Sequence, residues 1–126
     1  MPDMKTILVV DDEPDILRWL TLLFENNGYR VVTAKDGLEG MEKARSEKPD
    51  LITLDISMPT ESGVKMYRNL HNDENLTGIP VVLVTGATPM LNTFLSKIKK
   101  LKKPAGFMEK PVKDTDLLEK VKEIIG

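Results

Sequence analysis

Ile7-Leu8-Val9-Val10-Asp11-Asp12-Glu13-Pro14 is the stretch that decides the fold. Four consecutive aliphatic residues read as a strand buried on both faces, and three acids end it abruptly. Pro14 suits the first turn of a helix, where its missing N–H would have had no intrahelical partner. Ile16, Leu17, Leu20, Leu23 and Phe24 then recur at helical spacing, and Asn27-Gly28 is a stop signal.

The rest of the chain repeats that alternation. Arg30–Ala34 reads as a second, edge strand, and Asp36 caps a helix in which Leu38, Met41 and Ala44 share a face. Leu51–Leu54 is a third strand, entered from Pro49-Asp50 and closed by Asp55; Val64, Tyr67 and Leu70 are spaced for a short third helix. Pro80–Val84 is the fourth strand, closing at Thr85-Gly86. Thr88-Pro89 predicts the start of a fourth helix that runs into a lysine-rich segment, and Gly106–Met108 a short fifth strand before Lys110-Pro111. Leu117, Leu118, Val121, Ile124 and Ile125 form the stripe of a last helix, with Asp114 and Asp116 near its positive end. Five strands, each followed by a helix, imply an α/β domain. The expected architecture is a flavodoxin-like, doubly wound, five-stranded parallel sheet of order 2-1-3-4-5 with five helices.

Composition bounds the function. The 126 residues suit a single domain spanning 1–126, with no output domain expected in this chain. Hydrophobic residues at 40% and charged residues at 30% are ordinary for a globular chain that can bury a core. With no cysteine, a disulfide framework and cysteine–zinc sites are excluded, which fits a reducing, cytoplasmic setting. The longest apolar runs, Ile7–Val10 and Val81–Val84, are far short of the about 20 residues a membrane helix needs. A net charge of -2 gives no reason to expect direct contact with nucleic acid or an anionic membrane.

The polar residues fall at strand ends. Ligands of such sheets bind beyond the carboxyl ends of the strands, where the strand order reverses. There the first strand places Asp11 and Asp12, the third Asp55, the fourth Thr85 and the fifth Lys110. Two carboxylates about 4 Å apart repel by roughly 4 kcal/mol at an effective dielectric near 20, so three together call for a cation or a proton. Hard oxygen ligands with room for water suit Mg²⁺, with Mn²⁺ as a substitute. Thr85 could hydrogen-bond a phosphoryl oxygen, Lys110 could neutralise another, and Asp55 would be the nucleophile that becomes an aspartyl phosphate.

Val9-Val10-Asp11-Asp12-Glu13, Leu54-Asp55-Ile56-Ser57-Met58-Pro59 with Gly63, Val84-Thr85-Gly86-Ala87 and Phe107-Met108-Glu109-Lys110-Pro111 together resemble a response-regulator receiver domain, similar to the chemotaxis regulators of two-component signalling. The resemblance covers about Met4 to Gly126. It implies a metal site made by Asp11, Asp12, Asp55 and the backbone carbonyl of Ser57. It implies phosphorylation of Asp55 by a phosphohistidine on a histidine kinase or histidine phosphotransfer protein. Thr85 and Phe107 match the two switch positions, through which the face formed by the fourth helix, fifth strand and last helix is reshaped for a downstream protein target. Lys110-Pro111 matches a position where a cis peptide is common. Ser57 and Ala87, both small and uncharged, match positions that tune hydrolysis of the aspartyl phosphate. Such a domain assists its own phosphorylation and dephosphorylation and is not an enzyme acting on a separate substrate.

The chain also departs from the family. The stretch between Thr85 and Lys110 is a few residues longer than usual, and Lys103-Pro104-Ala105-Gly106-Phe107 replaces the customary acidic approach to the fifth strand. Lys97, Lys99, Lys100, Lys102 and Lys103 read either as cations favoured by a helix C-terminus or as a dock for an acidic partner. Phe107 taken alone reads equally as plain core; His71 reads as surface and Trp19 as helix packing. Other functions fit less well. A Mg²⁺-dependent phosphatase needs a second acid where Ser57 stands, and a flavodoxin-like cofactor site needs a phosphate-cradling loop where Asp11-Asp12-Glu13 would repel phosphate. A degenerate receiver used as a phosphorylation-independent docking module remains the alternative.

Overall fold

The computed structural model describes residues 4–86, 93–94, 96 and 103–126. Its strands are β1 (Thr6–Val10), β2 (Arg30–Ala34), β3 (Leu51–Leu54), β4 (Val81–Thr85) and β5 (Gly106–Glu109). They form one sheet in the order β2-β1-β3-β4-β5, every neighbouring pair parallel. Among the described residues there are four α-helices, α1 (Pro14–Glu25), α2 (Gly37–Glu47), α3 (Ser62–Asn72) and α4 (Asp114–Ile125), and a 3₁₀ turn at Pro59–Glu61. Of the helix expected from Thr88-Pro89, only Thr93, Phe94 and Ser96 are described, and all three are helical; its other residues, Ala87 and all of the lysine cluster except the exposed Lys103 lie outside the described residues. No helix among the described residues is long and apolar enough to cross a membrane.

The hydrophobic pattern accounts for this layering. Every residue of β1, β3 and β4 is buried, as continuous apolar runs require when helices cover both faces of a sheet. Alternation within the strands sorts the core in two. Leu8, Val10, Ile52, Leu54 and Leu83 face Met41, Ala44, Met66 and Leu70 of α2 and α3. Ile7, Val9, Leu51, Val82 and Val84 face Leu20 and Phe24 of α1 and Leu117 and Val121 of α4. The outer strands β2 and β5 are partly exposed, as edges are. Trp19 packs at the rim of the second core, and its indole N–H donates to Asp114 Oδ1 at 2.8 Å, joining α1 to the first turn of α4.

Local signals set the helix ends. The Asp36 carboxylate accepts from Glu39 N at 2.8 Å while the Glu39 carboxylate accepts from Lys35 N at 2.9 Å, a reciprocal cap that starts α2. Beyond α1 the chain turns at Gly28, whose φ of +89° a side chain would oppose. A second glycine is required by proximity. A Cβ at Gly63 would lie 2.2 Å from the carbonyl oxygen of Asp55, so the first turn of α3 can sit against the end of β3 only without a side chain there. One buried group is left over: among the described residues, the Thr53 hydroxyl, on β3 between Val9 and Val82, is the one buried side-chain polar atom with no hydrogen-bond partner.

Two substitutions with opposite signs test this packing by chemical denaturation. Gly63→Ala is expected to destabilise the fold by about 2–3 kcal/mol, because backbone must move to admit one methyl. Thr53→Val replaces an orphaned hydroxyl with a methyl and is expected to stabilise by about 1 kcal/mol. A neutral Gly63→Ala or a destabilising Thr53→Val contradicts the packing described.

Candidate functional site

Backbone hydrogen bonds carry the sheet one residue past its strands and thereby assemble the site. Asp11 N donates to Ala34 O at 3.1 Å, Asp55 N to Val10 O at 3.1 Å and Lys110 N to Thr85 O at 2.9 Å. Residues from four separate stretches are thus held side by side at the carboxyl edge, where β1 and β3 are neighbours and the strand order reverses. β4 extends to Thr85, one residue beyond the strand end expected from its apolar run, because Thr85 is still in register with Glu109 of β5.

Asp55 sits at the centre. Only 3% of it is exposed, and both of its carboxylate oxygens are engaged. Oδ1 accepts from Ser57 N at 2.8 Å, from the Ser57 hydroxyl at 2.6 Å and from the Thr85 hydroxyl at 2.9 Å. Oδ2 accepts from the Lys110 ammonium at 3.1 Å. The same ammonium donates to Asp11 Oδ2 at 2.9 Å, and Asp11 Oδ1 accepts from Glu13 N at 2.9 Å. Asp12 is exposed and lies at the mouth of the cluster. Asp11, Asp12 and Asp55 each offer an oxygen within 4.8 Å of the others. Five of the expected site residues, Asp11, Asp12, Asp55, Thr85 and Lys110, therefore meet at one place.

Burial and charge act in opposite directions here. Burial disfavours the ionised form of Asp55, but the Ser57 hydroxyl and N–H, the Lys110 charge and the Thr85 hydroxyl outweigh it and hold the carboxyl below its ordinary value. For Asp11 burial prevails over the Glu13 N–H and Lys110, and its carboxyl lies above the ordinary value. Burial of Lys110 is outweighed by Asp11 and Asp55, which push its ammonium above the usual lysine range. Asp55 is accordingly an ionised carboxylate held in one orientation, and Lys110 a cation, at neutral pH.

The donor set fits a small hard cation. Three carboxylates, one of them open to solvent, offer only oxygen, and an exposed ligand leaves room for the waters that Mg²⁺ keeps. Carboxylate and water ligands suit Mn²⁺ equally. His71 is half-buried on α3, away from this group.

Two features go beyond the residues' expected parts. Ser57 enters the site through its N–H and its hydroxyl, both turned onto Asp55 Oδ1; the Asp-x-Ser spacing, which favours a side-chain turn, is the signal that could have announced this. Phe107 is 39% exposed on β5, so the plain-core reading of its ring does not hold. The Lys110–Pro111 peptide is cis.

Comparison with known proteins agrees with this geometry. The response regulator receiver domain model matches residues 7–122. The chain is 33% identical over 123 residues to Protein PilH of Pseudomonas aeruginosa, a match covering 98% of this chain and 99% of that protein. It is 35% identical over 122 residues to the alkaline phosphatase synthesis transcriptional regulatory protein PhoP of Bacillus subtilis, covering 96% of this chain but 48% of that regulator. Among solved structures, a CheY-like response regulator receiver domain protein of Methanospirillum hungatei superposes with a TM-score of 0.82 at 32% identity, over 96% of this chain and 93% of that one. The signal receiver domain of a signal transduction histidine kinase from Syntrophus aciditrophicus gives a TM-score of 0.85 at 30% identity, over 96% and 89%. With its sheet order, its cluster of acids and a match across nearly its whole length, the chain belongs to the response regulator receiver domain family.

Proposed function

We propose that this receiver domain is a phosphoacceptor switch in phosphorelay signalling. Asp55 takes a phosphoryl group from a phosphohistidine on a histidine kinase or histidine phosphotransfer protein. A carboxylate oxygen of Asp55 bonds to phosphorus as the phosphorus–nitrogen bond breaks and imidazole leaves, giving an aspartyl phosphate. The observation that carries this reading is the state of Asp55, a buried carboxylate kept ionised by four donor contacts beside two further acids.

Asp11, Asp12, Asp55 and the Ser57 carbonyl would hold Mg²⁺ or Mn²⁺, which when bound offsets the negative charge of acids and phosphoryl group. The chain's own residues do the rest. The Ser57 N–H and the Thr85 hydroxyl, already aimed at Asp55 Oδ1, are the donors a phosphoryl group on that residue would meet. Lys110 supplies a point charge for a phosphoryl oxygen. Catalysis is positioning and neutralisation, and the domain acts on its own side chain, so it is a switch that assists its own phosphorylation and hydrolysis, not an enzyme with a separate substrate.

The outward ring of Phe107 suits the unphosphorylated state. As the Thr85 hydroxyl moves to the phosphoryl group, Phe107 turns inward, and the surface made by β5, α4 and the segment before β5 changes for a downstream protein. A cytoplasmic location belongs to the same proposal, since the phosphohistidine donors act there.

Labelling tests the acceptor. With ³²P-acetyl phosphate and Mg²⁺, the wild-type protein is expected to retain label and Asp55→Asn to lose at least about nine-tenths of it; equal labelling of the two contradicts the assignment, and an unlabelled wild type favours a docking module. Metal linkage tests the acid cluster. At about ten times its dissociation constant, Mg²⁺ should stabilise by about 1.4 kcal/mol, a rise of about 4–7 °C in Tm for a domain of this size, reversed by chelation. In metal-free buffer Asp12→Asn is expected to raise Tm by about 1–2 °C by relieving repulsion, and to diminish the Mg²⁺ response; a lower metal-free Tm would mean that the carboxylates do not crowd one another.

A further inference from the structure

At the edge of the sheet opposite Asp55 lies a cleft of about 210 Å³. It is formed by the second half of α3, the loop between α3 and β4, and the segment that enters β5. Ala105 N donates to Val81 O at 2.8 Å, which fixes that segment beside the first residue of β4. Leu76, Ile79 and Pro104 give the cleft apolar walls, and the rings of Tyr67 and His71 on α3 line it beside them. No acid lines it. Its lysine, Lys103, is exposed and makes no ion pair among the described residues. Lys103 and Pro104 belong to the stretch that replaces the family's customary acidic approach to the fifth strand.

We infer that this cleft binds a small amphipathic carboxylate, its apolar body between the walls and its anionic end at Lys103. Apolar walls with a few polar groups at the rim are the usual composition of a ligand site. Size sets the class. An apolar cavity of about 150 Å³ admits benzene, so about 210 Å³ accommodates an aryl ring with one carboxylate, or a short alkyl chain of similar bulk. Ligands that need a pocket of about 300–1,000 Å³ are too large. Charge sets the sign. With no acid in the lining, a cation finds no partner there, and the Lys103 ammonium is left for an anion from outside. Because Lys103 is exposed, its charge contributes no more than about fivefold in affinity, and burial of the ring contributes the rest. A bound carboxylate bridges α3 and the segment that leads to Phe107 on β5. The cleft lies at the amino ends of β4 and β5 and Asp55 at the carboxyl end of β3, so this inference stands apart from the proposed phosphoryl chemistry.

Sodium benzoate, titrated into the full ¹⁵N-labelled chain at constant ionic strength and followed by amide shifts, tests this. Saturable shifts centred on residues 76–81 and 103–106 are expected, with a Kd on the order of 1 mM. Benzamide keeps the ring without the charge and is expected to bind about three- to fivefold more weakly; Lys103→Gln is expected to weaken benzoate by the same factor and to leave benzamide unchanged. Acetate keeps the charge without the ring and is expected to bind at least about tenfold more weakly than benzoate. Shifts that do not saturate by about 20 mM benzoate, or that centre on Asp11 and Lys110, overturn the site. Benzamide binding as tightly as benzoate, or benzoate binding unchanged in Lys103→Gln, overturns the carboxylate assignment. Acetate matching benzoate overturns the role of the apolar walls. The comparison of benzoate with benzamide uses the wild type alone, so the charge question is decided without any variant.

Discussion

One ammonium between two buried carboxylates organises this molecule's functional edge. Lys110 bridges Asp11 and Asp55, residues 44 positions apart in the chain, and neutralises part of a charge cluster that would otherwise oppose folding. Burial of a carboxylate is costly unless it is paired and hydrogen-bonded. Here the turns after β1 and β3 and the last residue of β4 supply the hydrogen bonds, from backbone N–H groups and short hydroxyl side chains, and Lys110, just past β5, supplies the charge. The unequal outcome, Asp55 held below its ordinary value and Asp11 above, follows from the donors: Asp55 receives four contacts and Asp11 two. Environment thereby separates the roles of chemically identical side chains, leaving Asp55 the better ionised of the pair.

The scaffold explains why such a cluster is tolerated. Each face of the sheet carries its own apolar core, and the three central strands are buried along their whole length. The polar groups are confined to the rim where those strands stop. Gly63 lets α3 press against the carbonyl of Asp55, so the loop that presents Asp55 and Ser57 is clamped between β3 and α3. Rigidity in the sheet and freedom at the edge strand coexist: Thr85 is fully buried, whereas Phe107 on neighbouring β5 is open to solvent. In the proposed function that contrast carries a signal from Asp55 to the surface of β5 and α4.

Much of this was legible in the sequence because it is local. Apolar runs ended by acids marked β1 and β3 to within a residue, Asp36 announced the cap of α2, and Pro14 the start of α1. Parallel order then brought Asp11, Asp12, Asp55, Thr85 and Lys110 together without further information, since every one of them follows or ends a strand. What escaped depends on side-chain direction or on distant partners. The Ser57 hydroxyl could have turned to solvent or to a backbone carbonyl, and only the fold shows it on Asp55. The Phe107 ring sits on an edge strand, where alternation does not separate core from surface. The inclusion of Thr85 in β4 reflects a pairing with β5, more than 20 residues away. Its apolar run alone ends one residue earlier. The left-handed backbone of Thr60 in the 3₁₀ turn before α3 had no glycine or asparagine to announce it.

In the proposed function Asp11, Asp12 and Asp55 act as one cation pocket beside Lys110. Paramagnetic broadening of backbone amide signals by Mn²⁺ at low occupancy reads that pocket directly, because the effect falls steeply with distance from the ion. The result expected is broadening centred on residues 11–13, 55–57, 85–86 and 109–110, relieved by excess Mg²⁺ and lost in Asp12→Asn with Asp55→Asn. Broadening centred on other acids, such as Asp114 and Asp116 on α4, or spread evenly over the surface, would contradict it.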